Sequence, residues 1–209
     1  MKVIAINGSH RKGKNTAALL QIVLDELSKN NIENELIELM DLNLKRCAAC
    51  NKCLRRTQCS IQDDDMVKLT PKLLAADGII LGSPVYWANV STAMKNFMDR
   101  TRFLHMSKNL LAGKVGAAVV NAGVRNGGQE LCTSIIENYL KAQGLIIADS
   151  RDPEGAIRSV GVMGTLQCDL DSNNNIVWRS RAVEDSIAVD ACRQLAKNIL
   201  KLLQLRKRS

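Results

Sequence analysis

The strongest constraint on this chain is the alternation of short, nearly all-apolar runs with longer amphipathic ones. Residues 2–7 (KVIAIN), 34–39 (NELIEL), 78–83 (GIILGS), 114–122 (KVGAAVVNA) and 145–150 (LIIADS) read as strands. Residues 15–28, 64–76, 91–106, 127–143 and 183–203 carry apolar side chains at helical spacing. Strands apolar on both faces, each followed by a helix, predict an α/β fold with a parallel sheet covered on both sides. Two stretches, 46–63 and 151–180, resist assignment, the second carrying a turn-like DLDSNNN. We read them as a cysteine-rich loop and part of a C-terminal extension (about 151–209) on one domain spanning 1–209.

In an open parallel sheet, ligands sit beyond the carboxyl ends of the strands. The loop after the first strand, GSHRKGKNT, is dense in donors: the hydroxyls of Ser9 and Thr16, the charges of Arg11 and Lys14, and Asn15 or Thr16 at a helix start that favours an anion. It nearly spells a nucleotide-triphosphatase P-loop, but Asn15 stands where that loop needs a hydroxyl for magnesium. The strand GIIL also ends in GSP without an acid, so a phosphate arriving without magnesium fits better. After the third strand, GSPVYWANVS offers a stiff turn at Pro84 and the aromatic faces of Tyr86 and Trp87 to a flat heterocycle. After the fourth, NAGVRNGG lets the chain bend close to a planar ligand.

These three loops resemble those of the NADPH-dependent FMN reductase branch of the flavodoxin-like fold, over about residues 1–145. The resemblance implies a five-stranded parallel sheet in the order 2-1-3-4-5, with FMN held by its phosphate in the first loop. Carried over by position, Ser9, Arg11, Asn15 and Thr16 would bind the phosphate, with Lys14 beside them. Pro84, Val85, Tyr86, Trp87 and Asn89 would line the isoalloxazine ring, and Asn121, Ala122 and Gly123 would border it.

Cysteines are abundant, and Cys47, Cys50, Cys53 and Cys59 crowd into C-x2-C-x2-C-x5-C. A secreted disulfide framework would spread them more evenly over a shorter chain. Short C-x2-C spacings let successive thiolates converge on one centre, as a [4Fe–4S] cluster requires. Lys45, Arg46, Lys52, Arg55 and Arg56 would stabilise thiolates there. Zinc would also accept four thiolates, and free or redox-switching thiols are a third reading. The motif, with DDDM just downstream, is similar to that of the iron–sulfur flavoproteins, which join a [4Fe–4S] cluster to the FMN reductase fold. Cys132, Cys168 and Cys192 are expected to be small buried hydrophobes.

The formal charge is +8, but aromatic residues are only 3%, too few for a base-stacking surface, and no nucleic acid is expected. No apolar run approaches the roughly 20 residues that span a bilayer, and the N-terminus does not read as a signal peptide, so a cytoplasmic protein without a membrane partner is expected. His10 and His105 lack an obvious acidic partner for a hydrolytic triad. The favoured expectation is an electron-transfer flavoprotein whose FMN exchanges electrons with the cluster. An NAD(P)H-dependent FMN or quinone reductase without a cluster is the alternative, and a cysteine-based redox or metal-responsive binding protein a further one. The redox partner, a ferredoxin-like protein or NAD(P)H, is not identified by any motif; the family resemblance implies a homo-oligomer, a dimer or a tetramer.

Overall fold

The computed structural model describes residues 1–106, 108–153 and 161–208. Its sheet runs β2(Glu33–Glu38), β1(Lys2–Asn7), β3(Gly78–Pro84), β4(Val115–Ala122), β5(Ile146–Ile147), with every pairing parallel. This 2-1-3-4-5 order is flavodoxin-like. Successive side chains of a strand point to opposite faces, and the strands are apolar on both. Ile4, Ile6, Ile79, Leu81, Ala118 and Val120 bury against α2(Met66–Ala75), α3(Thr92–Arg100) and α5(Gln129–Ala142). Their neighbours Val3, Ala5, Ile80, Ala117 and Val119 bury against α1(Asn15–Ser28) and α6(Ser186–Arg208).

Two elements differ from the sequence reading. The helix expected over 91–106 breaks at Thr101 into α3 and α4(Arg102–Met106). The Thr101 hydroxyl donates back to the carbonyls of Phe97 and Met98 at 3.2 and 2.9 Å and lies 2.5 Å from the Tyr139 hydroxyl, competing with the helical ladder. The strand expected over 145–150 is only two residues long in β5, paired with Val115 and Gly116. Farther along the same edge of β4, β6(Val162–Thr165) pairs with Val119–Ala122. The fifth place in the sheet is thus filled by two strands in tandem, the second drawn from the stretch left unassigned. The chain then forms an antiparallel hairpin, β7(Gln167–Leu170) and β8(Ile176–Trp178), before α6. Its turn is residues 171–175 of the DLDSNNN segment, where Asp171 Oδ1 accepts the N–H groups of Asn173 and Asn175, both at 2.8 Å.

Cys132 and Cys192 are buried as expected, and burial pushes both thiols up to about 12, which keeps them inert. Cys168 is not a core residue: it lies half-buried on β7, its thiol donating to the Val177 carbonyl at 3.2 Å.

The first helix can lie close to the sheet because position 82 has no side chain. A Cβ there would sit 2.5 Å from Leu20 Cδ1 and 3.1 Å from Thr16 Cγ2. We expect Gly82→Ala to lower unfolding free energy by about 1–3 kcal/mol through overpacking, read as a drop in urea midpoint at unchanged slope.

Candidate functional site

Three loops meet at the carboxyl ends of β1, β3 and β4. The first is braced from beneath by residues the motif reading passed over. Asn7 and Glu38, the last residues of β1 and β2, stand in register as neighbours. Asn7 Nδ2 donates to Glu38 Oε2 at 2.7 Å, and Asn7 Oδ1 accepts the Ser9 N–H at 3.0 Å. Glu38 Oε1 accepts the Gly13 N–H at 3.1 Å, so one carboxylate shapes both ends of the loop. Their signal was positional: both are polar residues closing the strands that flank the loop.

From above, α3 closes the same loop. The Ser91 hydroxyl caps α3 by accepting the Met94 N–H at 3.1 Å and donates to the Gly8 carbonyl at 2.5 Å. Ser91 N–H in turn donates to Ser83 Oγ at 3.0 Å, tying the first loop to the end of β3. No side chain caps α1 at Lys14, which leaves its first-turn N–H groups for an anion.

The second loop is a two-residue hairpin. Tyr86 and Asn89 exchange N–H···O bonds of 2.9 and 3.0 Å, and Trp87 and Ala88 both take positive φ, 51° and 57°. Glycine usually occupies such positions. The turn points the Trp87 side chain wholly into solvent, 101% exposed, while Tyr86 stays at the cleft and stacks on His10, ring centres 6.1 Å apart. His10 also pairs with Thr92 Oγ1 at 3.1 Å. The third loop packs tightly on this hairpin, since Gly128 (φ +94°) approaches Ala88 where a Cβ would be only 2.5 Å away.

The result is a cleft of about 230 Å³ lined by Ser9, Arg11, Lys14, Asn15, Thr16, Pro84, Val85, Tyr86, Asn121 and Gly123, with Leu166 as an addition not foreseen. Trp87, Asn89 and Ala122 are not among the lining residues. Trp87 is turned outward by its φ, the Asn89 side chain accepts the Val90 N–H at 2.8 Å, and Ala122 is buried in β4. Asn15 lines the cleft, but its amide oxygen is engaged by the Ala182 N–H at 3.0 Å. In contrast, buried Asn121 Oδ1 has no hydrogen-bond partner among the described residues. It faces position 164, where a Cβ would stand only 2.8 Å from it, so glycine there leaves room for the amide.

The four cysteines Cys47, Cys50, Cys53 and Cys59 line a second, narrow pocket with Arg100, Arg102 and Phe103. The donor set suits a thiolate-bound centre, yet among the described residues no three His, Cys, Asp or Glu side chains are grouped to hold a metal ion. The thiols have separate partners instead. Cys50 Sγ lies 3.1 Å from Ser60 Oγ, and Cys59 Sγ accepts from Arg100 at 3.8 Å. Cys50 is held below the usual thiol value, first by that Ser60 bond and then by the Lys52 N–H and charge. An open groove of about 760 Å³ reaches from His10, which stacks on Tyr86, to Cys47.

Residues 1–150 match the NADPH-dependent FMN reductase family. An iron–sulfur flavoprotein of Archaeoglobus fulgidus is 35% identical over 99% of this chain and 98% of its own. One from Methanocaldococcus jannaschii is 36% identical over the whole of both chains. This chain belongs to the iron–sulfur flavoprotein family. As a member of that family, and of the broader FMN reductase group, it is a flavin-dependent oxidoreductase. Among solved structures, RosB with a bound riboflavin-phosphate intermediate superposes with a TM-score of 0.76 at 13% identity, over 100% of this chain and 81% of that one, which shows the shared fold. No described helix is long and apolar enough to cross a membrane.

The cysteine loop of this flavoprotein hangs on one buried ion pair. Arg100 and Asp64 have side chains wholly excluded from solvent. Arg100 also donates to the Lys45 carbonyl at 2.6 Å, and Asp64 accepts the N–H groups of Lys45 and Met66 at 2.9 and 3.0 Å. Desolvation alone would raise the Asp64 carboxyl, but the Arg100 bond and the two N–H donors hold it below the ordinary carboxylate value. A depressed folded value means the stabilisation is complete above the unfolded value and is lost as pH falls through the folded one. We expect Asp64→Asn to cost about 3–5 kcal/mol at neutral pH, as for a broken buried pair, and to flatten the acid limb of a urea-denaturation pH profile.

Proposed function

We propose that the cleft binds FMN, with the phosphate at the first loop and α1 and the ring between Tyr86 and the third loop, and that Cys47, Cys50, Cys53 and Cys59 hold a [4Fe–4S] cluster. The observation that carries the flavin site is the convergence of three sequence-distant loops, dense in hydroxyl and cationic donors, on one cleft. Bound FMN supplies the interchange between two-electron donors and a one-electron centre. The residues' part is to bind and orient. Ser9 and Thr16, both buried, offer hydroxyls, Arg11 and Lys14 offer charge, and Asn121 and Gly123 border the ring. Asn15 acts at one remove: by holding the Ala182 N–H it ties the α1 start to the residues before α6.

Support for electron exchange with the cysteine centre comes from the groove that runs from His10 to Cys47, and from the relatives' description as iron–sulfur flavoproteins. The physiological partner in this reading is a ferredoxin-like protein or NAD(P)H, and the working form a cytoplasmic homo-oligomer. The separate partners of Cys50 and Cys59 favour a second reading, an NAD(P)H-dependent FMN or quinone reductase that works without a cluster.

Iron, sulfide and flavin analysis of anaerobically purified protein separates the two. The expected result is flavin and about four irons per chain, matching a [4Fe–4S] cluster; flavin without iron establishes the second reading. Cys53→Ser is expected to abolish iron and the broad absorption that reductant bleaches while leaving flavin bound. Arg11→Ala and Thr16→Ala are expected to weaken FMN affinity by about tenfold each, the loss of one charge-assisted contact; unchanged affinity in both would refute the phosphate assignment.

A further inference from the structure

The β7–β8 hairpin is unexplained by the flavodoxin frame. Two strands alone are marginal in water, so their anchors reveal what the hairpin is built to position. These anchors run to the third loop of the cleft. The Gly123 carbonyl accepts the N–H groups of Leu166 and Gln167 at 3.2 and 2.8 Å and the Thr165 hydroxyl at 3.3 Å. Gln167 Oε1 accepts the Arg125 N–H at 3.0 Å. From the other strand's end, the Arg179 guanidinium donates to the carbonyls of Thr165 and Gln167 at 3.3 and 2.8 Å.

Gln167 and Trp178 are cross-strand partners, and directly opposed residues of an antiparallel pair present side chains on one face. Gln167 reaches the third loop, so Trp178 must reach it as well. It does: Trp178 Cζ3 lies 3.8 Å from where a Gly123 Cβ would stand. Gly123 lines the cleft, and so does Leu166, the residue just before the hairpin. Trp178 is not itself among the residues lining the empty cleft; it remains 52% exposed, a large apolar surface held beside Gly123 on the cleft's third-loop side.

We propose that Trp178 is part of the flavin site, an aromatic wall delivered by the hairpin against which the isoalloxazine ring packs on the third-loop side. This rests on the FMN reading above and adds a residue some 55 positions beyond the loops that carry it. Trp178 is a positioning residue here: it shields the ring from water and orients it, without exchanging protons.

The test is titration of full-length, flavin-stripped protein with FMN, followed by flavin absorbance, on wild type, Trp178→Phe, Trp178→Leu and Trp178→Ala. The expected pattern is a roughly tenfold weaker Kd for Ala, an intermediate loss for Leu, and near-wild-type binding by Phe, which restores a flat face. The visible bands of bound flavin should also shift in the Ala protein, a change that a merely structural role would not produce. Wild-type-like Kd and spectra in both Ala and Leu variants would overturn the proposal while leaving the FMN site intact. Wild type that fails to take up FMN would overturn the site itself. Should Trp178→Ala not fold, as judged by its far-ultraviolet dichroism, the Leu variant decides: tight binding there sinks the aromatic wall.

Discussion

The buried pair of Arg100 and Asp64 is the contact on which the two candidate redox regions depend. Taking both charges out of water is expensive, and it is sustained here because each finds further bonds, Arg100 to the Lys45 carbonyl and Asp64 to two backbone N–H groups. The pair sits at the last residue of α3, while the Ser91 cap at the other end holds the Gly8 carbonyl. One helix of nine residues therefore grips the first loop at its start and the cysteine loop at its end. Asn96, midway, adds a bond to the Leu44 carbonyl at 2.9 Å. Any displacement along α3 moves both regions together, which keeps their separation fixed.

The frame was legible in the sequence because it is written in local pattern. Strands with both faces apolar could pair only as a covered parallel sheet, and α1 spans the same residues in structure as in periodicity. What periodicity does not carry is pairing across distance. Residues 162–165 show no strand signal strong enough to predict, and they become β6 only because β4 runs on past the short β5 and offers an unpaired edge. Likewise a threonine inside an apolar helical pattern reads as helix, and the break at Thr101 appears only once Tyr139 is seen beside it.

The candidate site divides in the same way. Loop chemistry named every lining residue but Leu166, together with Trp87, Asn89 and Ala122, which do not line the cleft, and it could not say which of two adjacent aromatics turns inward. Tyr86 does and Trp87 does not, a choice made by positive φ at Trp87 and Ala88. Asn15 lines the cleft, but a backbone N–H 167 residues away claims its amide oxygen. The cysteine spacing brought four thiols to one pocket, and the side-chain partners of Cys50 and Cys59 were beyond the reach of spacing.

The cleft draws on both ends of the chain: Ser9 and Asn15 from the first turn of the fold, Leu166 from beyond the central sheet strands, and, through Asn15, Ala182 at the threshold of the last helix. Anything that occupies the cleft therefore fastens the beginning of the polypeptide to its final third. By mass action a ligand bound only to the folded chain raises its stability by an amount set by the ligand's concentration. During synthesis the early loops leave the ribosome long before their distant walls exist. The complete cleft exists only once the chain has been made past Ala182, and a ligand that needs all of its walls cannot be held before then.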